Sequence, residues 1–485
     1  MSVRRHTFYN LAGHGLSLIV LLATIPIYID VIGVERYGVL SVIWLLLGYF
    51  GFFDFGIGRA VAHQVAACTE NNPEEKRHAI LWTALLTAIP LSLLGAEILY
   101  FAVAYALENW VQMPTGLRAE AEQTLIWVSL SLILLLLAGV FGGAMTGMRR
   151  FLEINVLGVG TKLLLQVMPL GAALLLSPDL GNLAMAVFFA RLLSLVSWGG
   201  ICYKIMPYAL SPKWRRGLVG GLWRYGGWIT VSGVVGPILS GMERLLIGTL
   251  IGASAVTFYA VPYSLISPVT VLAGSLGAAL FPLFAACSGE RNRYLEARAA
   301  GVVLAVVTPL LVALAFIIQP FLGIWIDADF SREAGMVPQI LILGFWANSI
   351  AIIAHSRLQG SGQPRAVALI HLAEILPYLL LLFVLVAEFG IVGAAIAWAA
   401  RVIADALLLG GRSGLLSGFG AKLWIPFVIV LLSVFLALAL AANPWAMGIV
   451  GCIMMTMAVW WAWRIGLDEE ARVLVARIVR FGGVK

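Results

Sequence analysis

The chain has 485 residues, of which 61% are hydrophobic and 11% charged, with a formal net charge of +7 and a mean hydropathy of +0.99. Soluble domains carry about a quarter charged residues, so this composition excludes a water-soluble enzyme and leaves no basic domain to bind nucleic acid. The apolar runs are continuous rather than alternating, which excludes a membrane β-barrel. What remains is an all-α integral membrane protein, because lipid offers a backbone no hydrogen-bond partners and each crossing needs about 20 mostly apolar residues.

The first apolar run, 8–32, follows Arg4 and Arg5. It is too long for a signal-peptide core, lacks a small-residue cleavage site, and reads as the first span. Further runs lie near 38–67, 79–107, 123–147, 154–177, 181–203, 225–251, 256–287, 299–326, 335–358, 366–387, 390–411, 423–442 and 444–464, about fourteen spans in all. Pro26 and Pro237 are expected to kink spans 1 and 7. Gly143 with Gly147, and Gly248 with Gly252, have the spacing of close helix crossings. From Asp468 to Lys485 the pattern suggests an amphipathic tail on the membrane surface. Cys68, Cys202, Cys287 and Cys452 lie far apart, so no disulfide or metal site is implied.

With an even span count and the N-terminus inside, inside segments hold 23 Lys and Arg and outside segments hold 3. That asymmetry places both termini in the cytoplasm. The remaining five basic residues, Arg59, Lys162, Arg191, Arg244 and Arg401, fall within spans.

The chain also repeats itself. Leu183–Arg191 (LAMAVFFAR) matches Gly393–Arg401 (GAAIAWAAR), Ala66–Glu70 matches Ala285–Glu290, and Tyr37 matches Tyr259. Six helices separate the copies, so both have one orientation. The expected organisation is an N-lobe over 1–208, a C-lobe over 209–412, two further spans over 413–466 and the tail over 467–485. Parallel repeats around a midplane site are a transporter layout.

Ionisable groups at bilayer depth are costly and mark functional candidates. Arg59 is the leading one, one and a half turns below Asp54 in span 2 with His63 a further turn on. A guanidinium stays charged and offers a diphosphate bidentate hydrogen bonds; the alternative is that Arg59 pairs with Asp54 or snorkels to the interface. Arg244, next to Glu243 in span 7, is open to cavity and pairing roles alike. Arg191 and Arg401 are repeat equivalents and read as structural, with Asp405 at i+4 from Arg401, an ion-pair spacing. Lys162 and Glu374 occupy similar places in the two lobes, as cavity charges or as mutual partners. His355, His371 and Asn348 read as packing groups. No phosphate-binding loop of the GxxxxGK type, no GxSxG, no HExxH and no zinc cluster is present, so neither an ATP site, a catalytic residue nor a metal is expected.

The opening residues carry a resemblance. Asn10, Pro26, then Gly33, Glu35, Arg36, Tyr37 and Gly38, and the run from Phe53 through Asp54, Phe55, Gly56, Ile57 and Gly58 to Arg59, resemble the start of the oligosaccharide flippases. These form the polysaccharide-transporter branch of the multidrug/oligosaccharidyl-lipid/polysaccharide exporter superfamily. The resemblance implies two six-helix lobes plus two C-terminal helices. It implies a bacterial inner-membrane protein that moves undecaprenyl-diphosphate-linked oligosaccharide to the periplasmic leaflet by alternating access, for O-antigen, capsule or exopolysaccharide. Expected partners are that lipid-linked substrate, the bilayer, and a polysaccharide polymerase with chain-length machinery; no cofactor is implied, and the coupling ion stays open. The lipid II flippases carry basic residues in the first span, whereas this chain has none between Arg5 and Arg36. Two other readings stand beside it: a cation-coupled multidrug exporter using Asp54, Glu243 or Glu374, and a polytopic polysaccharide polymerase or ligase, against which the short 108–122 loop argues.

Overall fold

A computed structural model describes residues 3–66, 68, 73–110, 112–206, 214–215, 217–220, 235–236, 238–239, 241–287, 289–469 and 472. Among these the regular structure is helical: α1 Val3–Tyr49, α2 Ile57–Ala66, α3 Pro73–Asn109, α4 Thr115–Gly147, α5 Phe151–Leu175, α6 Leu180–Ile205, α7 Met242–Leu250, α8 Ala253–Ile266, α9 Thr270–Ala286, α10 Gly289–Trp325, α11 Ala328–Ala334, α12 Val337–Gly360, α13 Pro364–Ser413, α14 Leu415–Ala439 and α15 Pro444–Trp461. Eleven of the helices are long and apolar enough to cross a membrane. The first part of span 7, 225–234, with Pro237, and most of the tail, lie outside the described residues.

Two helices are twice too long for a single crossing. A straight helix of the 50 residues of α13 would reach roughly 75 Å, against a hydrocarbon core of about 30 Å. It turns back at Gly390, with φ 58° and ψ −137°, so one element supplies spans 11 and 12. The 47-residue α1 does the same at Gly33, with φ 81° and ψ 163°, while staying helical through Pro26. Both torsions lie where a Cβ is strained and glycine is not. With these turns, α1 to α15 account for the fourteen expected spans, α7 being the end of span 7.

The chain forms two compact units, Met1–Thr257 and Phe258–Lys485. The domain boundary read at 208/209 falls in 207–213, outside the described residues. In the first unit, α4 packs against α2, α3 and α6, and α5 packs against α1 and α6. In the second, α12 packs against α9, α10 and α13, and α10 also packs against α14 and α15.

Lipid tails are as apolar as leucine, so helices associate through close van der Waals fit and polar contacts rather than by escaping water. Small residues supply the fit. The α2–α4 core includes Ala60, Ala144, Ala84 of α3 and Cys202 of α6, all buried. A Cβ on Gly143 would lie 2.0 Å from the Gly58 carbonyl oxygen, and one on Gly147 2.7 Å from that of Ala62. Gly143 and Gly147 therefore form the crossing their spacing predicts. Five buried hydroxyls are satisfied on their own helices: Ser41, Thr87, Ser194, Ser349 and Ser433 each donate to the carbonyl four residues back.

Gly143→Val drives a branched side chain into the Gly58 carbonyl, and overpacking of this kind costs about 1–3 kcal/mol. Its thermal unfolding in detergent is expected well below wild type, whereas Gly139→Ala, with nothing within 4 Å of its added Cβ, melts like wild type. Equal melting of the two variants would contradict the crossing.

Candidate functional site

Span 2 is not the continuous helix expected over 38–67. It ends at Tyr49, passes through a 3-10 turn at Phe50–Asp54 and restarts as α2 at Ile57. The cause is local chemistry inside an apolar run. Asp54 Oδ1 accepts a hydrogen bond from Gly56 N at 2.6 Å, an alternative to helical pairing that short acidic side chains offer the backbone. Phe55 and Gly56 both take positive φ, 45° and 67°, and for Phe55 this costs roughly 1–2 kcal/mol. Ring packing holds it: Phe55 meets Phe53 edge-on with centroids 5.8 Å apart, and Phe53 stacks on Phe50 at 5.6 Å.

The break sets Asp54 and Arg59 on opposite sides of a turn instead of along one helix. Asp54 is half-buried, within electrostatic range of Arg59. Arg59 stands in the first turn of α2, exposed, with no hydrogen bond or ion pair within 4 Å among the described residues. The N-terminal amides of a half-helix add partial positive charge at that point.

Other intramembrane charges of this unit are scattered. Glu243 is fully buried, and its neighbour Arg244 is half-buried, within electrostatic range of the buried Tyr37. Lys162 of α5 is exposed, and so is Glu97 of α3; the sequence reading passed over Glu97 because it stands alone among apolar neighbours. Arg191 of α6 is half-buried, and its Nε finds no hydrogen-bond partner among the described residues.

At one end of this unit Arg36 clamps Glu120 through two hydrogen bonds, Nε to Oε2 at 2.8 Å and NH2 to Oε1 at 2.5 Å. Glu120 Oε2 also accepts from Leu180 N at 3.4 Å, so one carboxylate ties spans 2, 4 and 6. Both side chains are partly exposed, so the tie contributes about 1 kcal/mol or less. It edges a cavity of about 410 Å³ lined also by Gly33, Pro114 and Gly116.

The second unit holds a concentrated polar cluster. On the first arm of α13, His371, Glu374 and Tyr378 fall on one face at i, i+3 and i+7; on the returning arm, Trp398, Arg401 and Asp405 do likewise. Turning at Gly390 brings the faces together. His371 Nε2 lies 3.4 Å from Asp405 Oδ1, and Arg401 NH1 lies 3.8 Å from Glu374 Oε2. The Arg401 guanidinium also sits 5.8 Å from the Tyr378 ring centroid, and the two carboxyl groups interact with each other. The i+4 spacing of Arg401 and Asp405 implied a pair within one helix; the structure pairs each residue across the hairpin instead, because facing arms present carboxylate to guanidinium more directly than successive turns do. Glu374 and Arg401 are partners within one unit, while Arg191, the repeat equivalent of Arg401, has no such carboxylate among the described residues. From α12, His355 stacks on His371, with ring centroids 5.8 Å apart and planes 9° apart.

Nearby, Arg357 of α12 meets the fully buried Glu296 of α10 at 3.4 Å and donates to the Ser413 carbonyl oxygen. The four cysteines are free. Among the described residues no group of three or more His, Cys, Asp or Glu could hold a metal ion.

Comparison with known proteins follows the same lines. The profile of a family described as "Polysaccharide biosynthesis protein" matches residues 3–288. The chain is 25% identical over 423 residues to the "Putative O-antigen transporter" of Shigella flexneri, covering 84% of this chain and 97% of that one. It is 23% identical over 350 residues to the "Uncharacterized membrane protein EpsK" of Bacillus subtilis (strain 168), covering 68% and 66%. Among solved structures, the lipid II flippase MurJ in an inward closed conformation superposes with a TM-score of 0.70 at 12% identity, over 97% of this chain and 99% of that chain. An inward-facing multidrug resistance MATE family transporter of the MOP superfamily gives 0.66 at 14%, over 87% and 97%. At these identities the structures establish a shared fold.

The exposure of Arg59 leads to a direct expectation. In a cysteine-free background, Arg59→Cys, at an exposed position, is expected to react with a maleimide, whereas Glu243→Cys, fully buried, is not. Protection at position 59 matching that at 243 would mean that Arg59 faces lipid or protein.

Proposed function

The chain belongs to the polysaccharide biosynthesis protein family, and from that membership we propose that it flips a diphosphate-linked oligosaccharide lipid across the bacterial inner membrane. The relative that matches over 84% of it is a putative O-antigen transporter, and the chain is a transporter rather than an enzyme. In this reading the substrate is an undecaprenyl-diphosphate-linked unit moved from the cytoplasmic to the periplasmic leaflet by alternating access. The unit then goes to a polysaccharide polymerase with its chain-length machinery, and both termini of the flippase lie in the cytoplasm.

The observation that carries the reading is Arg59, an exposed guanidinium on the first turn of an interrupted membrane helix, with no ion pair within 4 Å among the described residues. The substrate has a tail content in lipid and a head that needs cationic, hydrated contact. A guanidinium presents a planar fork to phosphoryl oxygens, and α2 adds the amides of its first turn. Asp54 gives the charge a counter-ion while no substrate is bound. Lys162, also exposed, adds a second cation in the same unit. Arg244 and Glu243 sit less openly, and Glu243 serves the fold.

A second reading, export of organic cations, draws on Glu97, an exposed carboxylate in span 3. Substrate charge separates the two. Each charged hydrogen bond lost is worth roughly 1.5–3 kcal/mol, so Arg59→Ala is expected to lower surface polysaccharide by about tenfold or more at matched protein level. Arg59→Lys retains part of the activity, keeping charge without the fork, and Glu97→Gln leaves export near wild type. Cells lacking the protein lose surface glycan and gain no sensitivity to cationic dyes. Dye sensitivity with unchanged glycan would reverse the assignment.

A further inference from the structure

We propose that Gln166 of α5, held in place by Thr24 and Tyr28 of α1, reads the sugar attached to the diphosphate, accepting a hydrogen bond from the hydroxyl or acetamido N–H on its second carbon. The proposal rests on the export reading above and names the residue that sets which glycan is carried.

Helices α1 and α5 meet at this residue through two hydrogen bonds. The hydroxyl of Tyr28, a fully buried side chain, donates to the Gln166 carbonyl oxygen at 2.8 Å. Gln166 Nε2 donates to Thr24 Oγ1 at 2.7 Å. The direction of the amide follows from the hydroxyl proton. Thr24 gives its single proton to the Val20 carbonyl oxygen at 2.8 Å, so towards Gln166 it can only accept. The NH2 side of the amide therefore faces Thr24, and Oε1 faces away. Oε1 has no hydrogen-bond donor among the described residues, and the half-buried side chain leaves it accessible. Anchored at both its main chain and its amide, Gln166 has little freedom left to lose when a ligand meets that oxygen, which is what a selective acceptor requires.

The neighbouring charge says what kind of ligand this is. Lys162 stands one turn earlier on the same face of α5, exposed and without an ion pair among the described residues. It lies roughly 16 Å along α5 from Phe151, close to the middle of a core about 30 Å thick, deeper than a lysine stem reaches to either interface. An exposed ammonium at that depth needs water or an anion beside it. Thr161, by contrast, faces α6, where Trp198 Nε1 donates to its Oγ1 at 3.2 Å. The open side of α5 thus presents a cation followed one turn on by a fixed acceptor, a spacing that one pyranose ring spans.

The order in depth matches the order of groups in the substrate. Counted from Ala66 at the end of α2 and from Phe151 at the start of α5, Arg59 lies roughly 10 Å deep, Lys162 roughly 16 Å and Gln166 roughly 22 Å. A head group whose phosphates reach Arg59 and Lys162 sets its first sugar against Gln166. On that sugar the second carbon adjoins the one bearing phosphate, so its substituent is the donor nearest Lys162. A site built to accept from an O–H or N–H rejects an analogue without one, because its own oxygen is then left unpaired.

The test uses the full-length protein in lipid nanodiscs and three soluble probes. Each is farnesyl diphosphate carrying one sugar: glucose, N-acetylglucosamine or 2-deoxy-2-fluoroglucose, whose fluorine cannot donate. Wild type is expected to bind at least one of the first two about tenfold more tightly than the fluoro probe, the effect of one hydrogen bond. Gln166→Leu is expected to bind all three as weakly as wild type binds the fluoro probe. Lys162→Gln weakens all three alike and keeps the ratio, since it touches phosphate and not the second carbon. Should Gln166→Leu not fold, Thr24→Val, of the same shape, releases the amide and narrows the ratio.

Equal binding of the three probes by wild type, or an unchanged ratio in Gln166→Leu or Thr24→Val, would overturn the subsite and reduce Gln166 to a fastener between α1 and α5, with the export reading intact. Unaltered affinities in Lys162→Gln would overturn it equally. Failure of the export reading would look different, with wild type binding none of the three, and the subsite would fall with it.

Discussion

Every N–H and C=O of a chain immersed in hydrocarbon has to find its partner inside the protein, and that requirement organises this molecule from its helices to its exceptions. Continuous helix is the default answer, which is why so much of the chain reads as apolar runs. Where the helix stops inside the membrane, something specific takes over. At span 2 it is the Asp54 carboxylate, accepting from Gly56 N at 2.6 Å. Between successive spans, at Gly33 and Gly390, a glycine's torsions reverse the chain within one residue. Each departure sets the place of a charge: the first exposes Arg59 at the head of a short helix, and the last folds α13 so that Glu374 meets Arg401.

The two units share a packing scheme and differ in their electrostatics. Both wrap a central helix, α4 or α12, with close neighbours, and both use glycine at close helix contacts. A Cβ on Gly277 would lie 2.4 Å from Ser356 Oγ, as one on Gly143 would meet Gly58. Yet the first unit keeps Arg59 and Lys162 open, while the second gathers its charges into a buried cluster. The Arg36–Glu120 pair illustrates the lesser class of charge, partly exposed and tying helix ends together at modest energetic value.

Much of this was legible in the sequence, and the failures have physical causes. Span positions followed from hydropathy because hydropathy is the selection that lipid imposes. The Gly143/Gly147 crossing followed from spacing alone. The span 2 break did not, since Phe53, Phe55 and Ile57 keep the run apolar on both sides and only Asp54 with Gly56 hints at a turn. Arg401 was assigned to Asp405 because i+4 is the nearest partner a lone helix offers; Glu374, 27 positions earlier, becomes nearer only once Gly390 reverses the chain. Read as two facing helices, the i, i+3, i+7 set of 371, 374 and 378 against 398, 401 and 405 carries the cluster's signal. Glu97 had no companion to draw notice.

The central claim is that this protein carries a diphosphate-linked oligosaccharide across a bilayer. Purified protein reconstituted into liposomes containing a polyprenyl-diphosphate-linked oligosaccharide tests it most directly, with an impermeant lectin reporting the glycan on the outer leaflet. After outer-leaflet glycan is removed enzymatically, protein-containing liposomes should regain lectin-reactive glycan over time. Recovery no faster than in protein-free liposomes, with folded protein in the membrane and a proton gradient imposed in either direction, would contradict the account.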